Sequence, residues 1–505
     1  MTMSAKTKTP TSLAESLEII EAQQEEIALL NQKYSNLLEQ FKLSRQRQFG
    51  RKSESHVDQL QLFDEAETHA DAESKDAPDS TETITYERKK PIRKPLPKDL
   101  PREQVLHDVD ESEKQCDCGC EKQRIGEEIS EQLEVIPASV KVIQHVRPKY
   151  ACNRCDSGVS IANMPTLFLP KSIASPSLVA HIIVNKYQDH LPLYRQEKIW
   201  QRAQVDIPRN TMCGWIVKAY EKCLALKDLL IRDLLSSDYL QVDETTLQVM
   251  DEPGKKNTSK SYMWAYRSAL PDKKINYFEY RHSREGKWPE SLLANFKGYL
   301  QTDGYAGYDW VSERDDITHL GCMAHARRPF AELVKIAKKT GKSHQAIAYI
   351  KKLYAVEKEA KVKGLNQEDR YELRIEKAKP ILDELFKWIE KSLKTAVPRS
   401  KLGIALKYMH ERKEELCHYL LDGRLEIDNN DAENQIRPFA VGRKNWLFSG
   451  SPRGADASCF FYTLISTAID NGLNPFDYLN HLFNNISHCK SDEDYTRLLP
   501  YICKP

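Results

Sequence analysis

Four carboxylates and three asparagines crowd into the ten residues Glu426 to Gln435 of the stretch LEIDNNDAENQIRPFAVGRKNW (425–446), and Arg437, Arg443 and Lys444 follow. The Asx residues are suited to capping a helix. Glu433 then falls in its first turns, with Arg437 one turn on and on the same face, and Pro438 limits that first helical segment. Two more acids sit in strand-like sequence: Asp243 inside DYLQVDETTLQVM (238–250), with Glu244 beside it, and Asp303 at the end of GYLQTDG (298–304). A carboxylate in a sheet cleft is costly unless paired or bound to metal. Two Asp at adjacent strand ends can chelate a hard ion such as Mg2+ or Mn2+. A third carboxylate, for which Glu433 is the best candidate, allows two ions and hence in-line phosphoryl transfer. Glu426, Asp428 and Asp431 are then candidates for capping and turns, whereas the competing reading makes Asp243 and Asp303 turn or edge residues.

A second chemistry is suggested by cysteines. CDCGC (116–120) and CNRC (152–155) flank a stretch that alternates like paired strands. Cys152 and Cys155 have the knuckle spacing of a tetrahedral Zn2+ site, and Cys116, Cys118 and Cys120 offer the remaining ligands of a ribbon-like module. Cys322 and His325, in CMAHARRPF, also have a metal-like gap, but no second pair lies nearby in sequence. His325 and Arg327 are therefore expected to start a helix beside the cleft and position it or contact phosphate.

Elements must hold these residues. Around Asp243 the apolar period is two; KSYMWAYRSAL (260–270) and KKINYFEYRHS (273–283) continue as strands. A helix at 285–296, the strand ending in Asp303, and a strand passing into a helix from Asp316 follow. Three strands, a helix, a strand and a helix-containing return form the order of a ribonuclease-H-like α/β core with a mixed sheet. Residues 342–424 are Lys/Glu-rich and helical, an insertion between core segments 237–341 and 425–470; 471–505 reads as a helical tail.

Upstream, Leu13, Leu17, Ile20, Ile27, Tyr34, Leu38 and Phe41 repeat at steps of three and four, with Gln24 and Asn31 on the same seam. Such heptads predict a self-associating coiled coil over residues 1–54, ending in the basic RQRQFGRKSE. Residues 55–103 are a charged, Pro-containing linker, and 104–170 hold the cysteines. Residues 171–236 form short helices entered through Pro, the third carrying Arg209 at its start, as in a helix-turn-helix. Trp446, just after Arg443 and Lys444, suits either stacking on an unpaired base or filling the core.

The 505 residues carry a formal net charge of only +1, so nucleic-acid affinity must come from local patches such as Arg209, Arg327, Arg437, Arg443 and Lys444. No apolar run is long enough to cross a bilayer and no signal-peptide core opens the chain, so a cytoplasmic protein is expected.

Together RQRQFGRKSE, KYQDHLPLYRQ, VDETTLQV, QTDGYAGY, CMAHARRPF, EIDNNDAENQIRPFAVGRKNWLFSGS and NGLNPFDYL resemble the insertion sequence 66 family of transposases over nearly the whole chain. The resemblance implies a DDE (Asp-Asp-Glu) transposase, with Asp243, Asp303 and Glu433 at the catalytic positions and a zinc module and helix-turn-helix for terminal-repeat DNA. It also implies bacterial, nucleoid-associated action on double-stranded element ends and target DNA, a homo-oligomer, and small accessory proteins of the same element. The chain departs from the family pattern at Asn434, where Arg is common, and in the first cysteine cluster. A nuclease without strand transfer and an inactive DNA-binding relic are the alternatives.

Overall fold

A computed structural model describes scattered residues between 20 and 45, and residues 140–151, 159–268, 273–337 and 339–503. The cysteines at 116–120, 152 and 155, the linker, and seam residues Leu13 and Leu17 lie outside the described residues. The chain divides into two units, residues 76–160 and the remainder. Strand β1 (Lys149–Ala151) pairs with β2 (Val159–Ile161) in a two-stranded sheet. The described positions between 20 and 45 are helical, and Ile20, Ile27, Tyr34, Leu38 and Phe41 of the seam are exposed.

After β2 come four helices: α1 (Pro176–Tyr187), α2 (Leu193–Arg202), α3 (Arg209–Lys222) and α4 (Leu224–Leu235). Ser175 accepts the Leu178 N–H and Pro176 occupies the first turn, where its missing donor costs nothing. Pro192 and Pro208 sit one place earlier, at the N-cap positions of α2 and α3.

Next comes a five-stranded sheet in the order β5-β4-β3-β6-β7. β3 (Tyr239–Gln248) pairs antiparallel with β4 (Lys260–Ser268), and β4 with β5 (Ile275–Arg281). β6 (Gly298–Gln301) runs parallel to β3, and β7 (Ile317–Leu320) parallel to β6. Gly298 has φ +125°, and a Cβ there would lie 2.2 Å from the Asp238 carbonyl; only glycine lets β6 start this close to β3.

The longer helices that follow are α5 (Met323–Ile336), α6 (Lys342–Lys363), α7 (Lys379–Leu393), α8 (Lys401–Glu411), α9 (Asn430–Trp446), α10 (Pro452–Asp470) and α11 (Pro475–Asn485). One core joins α1–α4, the sheet, α10 and α11. The predicted DNA-binding helices and the C-terminal segment thus share the sheet's core: Phe168 stacks on Phe483 at 4.5 Å, and Tyr187 and Ser458 share a 3.1 Å hydrogen bond. α10 also covers the sheet edge, since Thr463 and Thr467 accept the N–H groups of Phe278 and Asn276 on β5.

A second core holds the insertion, with α5 through α8 closing over Tyr239, Leu320, Leu425 and Ile427. At its centre Arg374 is fully buried. Its guanidinium donates to Glu357 and to the carbonyls of Tyr419, Asp422 and Leu425. A charge there is tolerated because every face of the fork meets an acceptor.

Candidate active site

Asp243 lies in the middle of β3, two residues past the last β3–β6 pair, Gln241 with Gln301. β6 stops there, and the flank of β3 opens into a notch. Asp303 sits two residues beyond the end of β6, its Oδ1 accepting the Tyr305 N–H at 2.9 Å. One oxygen each from Asp243, Glu244 and Asp303 lie within 4.8 Å of one another. Glu244 should face away from its neighbour in a regular strand. Its side chain is 1% exposed, and it accepts hydrogen bonds from Arg284 Nε at 2.7 Å and Tyr308 Oη at 2.8 Å. Arg284 also stacks over Tyr305 and reaches to 4.0 Å from Asp303 Oδ2. Glu244, Arg284 and Tyr308 belong to the site but were not singled out from sequence. The adjacent Asp-Glu pair was the one visible signal.

α9 brings the remaining acid. The segment before it, 425–429, is held by side chains from several elements. Tyr239 and Gln301 bond the Glu426 backbone, Gln241 the Asp428 carbonyl, and Cys322 Sγ accepts the Asn429 N–H at 3.2 Å. Asn429 begins the helix but makes no side-chain cap; its Nδ2 donates to Val242 O on β3. Asp428 supplies the cap in its place, Oδ1 accepting the Asn430 N–H at 3.1 Å, while the exposed Asp431 lies 3.7 Å from Arg267. Pro438 does not limit the helix, which runs on to Trp446. The carbonyl left without its i+4 donor belongs to Asn434, whose exposure leaves water to satisfy it.

Glu433, in the first turn, points toward α5. Its Oε1 is 3.6 Å from His325 Nδ1 and its Oε2 3.6 Å from Arg328 Nη2. It is also close enough to Asp243 to raise that carboxyl. Burial, followed by Glu244, Asp303 and Glu433, pushes Asp243 well above the usual carboxylate range. Burial and Asp303 likewise raise Glu244 against the opposing Arg284. Burial, then Arg328, holds His325 below its ordinary value. Carboxylates that repel one another this way have the hard oxygen donors and the excess negative charge that suit Mg2+ or Mn2+.

The expected basic contacts divide. Arg209, Arg437 and Lys444 are exposed. Arg327 is buried. Arg443 is turned inward, donating to Thr245 and Thr246 on β3. Trp446 packs edge-on against Phe439 at 5.3 Å with Lys186 over its ring, which favours the core reading over base stacking.

This is an α/β protein whose mixed sheet carries an acidic cleft lined by Asp243, Glu244 and Asp303. Residues 171–457 match the family described as "Transposase IS66 family", and the chain belongs to it. Residues 113–156 match "zinc-finger binding domain of transposase IS66", 36–105 "Transposase C of IS166 homeodomain", and 463–501 "IS66 C-terminal element". The protein is thus a transposase with a zinc-finger domain that contains all five N-terminal cysteines. Three relatives come from Sinorhizobium fredii, each called an uncharacterized protein. y4qI is 34% identical over 82% of this chain and 79% of its own, y4hP 31% over 88% and 83%, and y4jD 32% over 77% and 78%. No helix among the described residues is long and apolar enough to cross a membrane.

Proposed function

We propose that the protein is a DDE transposase that cuts DNA at the ends of a bacterial insertion sequence and joins the freed 3′-hydroxyl to target DNA. The observation that carries this is the convergence of Asp243, Glu244 and Asp303 within 4.8 Å, with Glu433 acting on Asp243. The sheet supports a ribonuclease-H-like core: three antiparallel strands, then two parallel ones, with the acids in the first strand and just past the fourth. Bound divalent ions supply activation of the attacking oxygen and charge neutralisation at the phosphorus. Asp243, Asp303 and Glu433 hold those ions. Glu244 is fixed by Arg284 and Tyr308, and Arg284 remains 40% exposed beside Asp303, placed to meet a phosphate oxygen.

Other modules complete the reading. Zn2+ is bound by Cys152, Cys155 and two of Cys116, Cys118 and Cys120. Arg209, at the exposed start of α3, and Arg437 and Lys444 on α9 contact phosphates. The heptad seam draws copies together for synapsis of two ends, and small proteins encoded by the same element assist. Labelled element-end DNA incubated with the protein, target DNA and Mg2+ tests this. Joined product is expected. Cleavage without joining would identify a nuclease, and binding alone an inactive relic.

A further inference from the structure

The Cys322–His325 spacing gains in three dimensions the partner it lacks in sequence. α5 carries His325 to the first turn of α9, where His325 Nδ1 stands 3.6 Å from Glu433 Oε1. That is too long for a hydrogen bond. Both atoms are nevertheless shielded from solvent, and neither has a hydrogen-bond partner among the described residues. Leaving two such atoms unpaired is costly unless something sits between them. Arg328 approaches the other carboxylate oxygen and is itself 53% exposed, so it leaves Oε1 unserved. Cys322 Sγ lies within 4.8 Å of a ring nitrogen of His325 and a carboxylate oxygen of Glu433 but already accepts the Asn429 N–H.

A separation of 3.6 Å is close to that of two ligands on one ion. Donors about 2.1 Å from a metal lie roughly 3 to 3.5 Å apart at octahedral or tetrahedral angles. We propose that His325 Nδ1 and Glu433 Oε1 share a divalent cation, so that one metal position in the acidic cleft has a nitrogen ligand. The proposal rests on the reading of Glu433 as a metal ligand and extends it. Imidazole favours first-row transition ions, whereas carboxylates alone suit Mg2+ equally well. The position should therefore prefer Mn2+ to Mg2+. Cys322 remains a thiol that fixes Asn429, and with it the start of α9.

Pulsed electron paramagnetic resonance on the full-length protein loaded with Mn2+ tests this directly. Mn2+ is a poor competitor for thiolate sites, so the zinc finger does not obscure the signal. The wild type should show nitrogen modulation from a directly bound imidazole. Labelling histidine with 15N should change that pattern without any substitution. His325→Gln should abolish the modulation and weaken Mn2+ binding about tenfold or more. Bound Mn2+ with no nitrogen coupling, or coupling that survives His325→Gln, would overturn the assignment while leaving the carboxylate site standing. Mn2+ binding that is absent, or that is indifferent to both Asp243→Asn and Glu433→Gln, would overturn the carboxylate reading as well.

Discussion

Tyr354 donates a 2.6 Å hydrogen bond to Oδ2 of Asp428, joining the helical insertion to the residue two places before the helix that carries Glu433. The same segment is gripped by Arg370, which bonds both carboxylate oxygens of Glu426, and by Arg374, which bonds the Leu425 carbonyl at 2.7 Å. The insertion therefore does more than lengthen the chain between the second and third acids. It sets the position from which α9 enters the cleft.

Asp428 gives this contact a pH signature. Burial pushes its carboxyl up to about 6 from an ordinary 3.8. A carboxyl raised by folding contributes stability below its unfolded value and loses that contribution as pH rises through the folded value. Wild type should lose stability relative to Asp428→Asn between about pH 4 and 6, and the variant should keep strand transfer. Urea unfolding of both proteins at pH 4.5 and 7.5 checks this; parallel pH profiles would show that Asp428 is not held in this way.

Glu433→Gln keeps shape and removes the charge proposed to hold an ion. Cleavage and joining should fall by orders of magnitude while binding to end DNA persists, because the substitution leaves the exposed cations Arg209, Arg437 and Lys444 in place. Gel-shift and strand-transfer assays run side by side decide the matter. Near-normal transfer by Glu433→Gln would assign the chemistry to another acid.

Gly304 follows Asp303, and a Cβ on it would stand 2.3 Å from the Tyr408 ring of α8. Gly304→Ala should displace the Asp303 loop or α8, costing about 1–3 kcal/mol and lowering transfer with it. Truncating the ring in Gly304→Ala/Tyr408→Ala should restore part of the transfer. A thermal melt and activity unchanged in the single variant would refute the clash.

Arg374→Met should be strongly destabilising, by about 3–5 kcal/mol, since it strips a buried partner from Glu357 and donors from three carbonyls. Arg374→Lys should recover little, because an ammonium cannot reproduce the planar fork. The midpoint of chemical unfolding reads out both.

Protein purified without chelator should contain one zinc per chain from the N-terminal module. Cys152→Ser should release that metal, since thiolate ligation and folding of such modules are coupled. Elemental analysis that finds no zinc in the wild type would remove the assignment of these cysteines.

Sequence alone determined the alternation of the strands, the Pro-entered helices and the acids within them, because these depend on local periodicity and on residue types with few tolerable places in a fold. Asp243 and Asp303 were legible since a carboxylate inside a strand or just past its end needs a reason. The cleft itself was decided only by tertiary structure. β6 stops opposite Gln241, and that gap in pairing lets Glu244 join Asp243, against the two-sided rule of a strand. Pro438 looks like a stop signal in sequence, yet packing of Ile436 and Phe439 into the core carries the helix through it. Arg327 and Arg443 look like phosphate ligands by type, but one is buried and the other is turned onto β3. His325 and Glu433 are separated by more than a hundred residues, and no local pattern could place them 3.6 Å apart. That contact exists because α5 and the segment before α9 are both drawn onto the same sheet end, through Cys322, Gln241 and Gln301, by hydrogen bonds that only the folded chain can make.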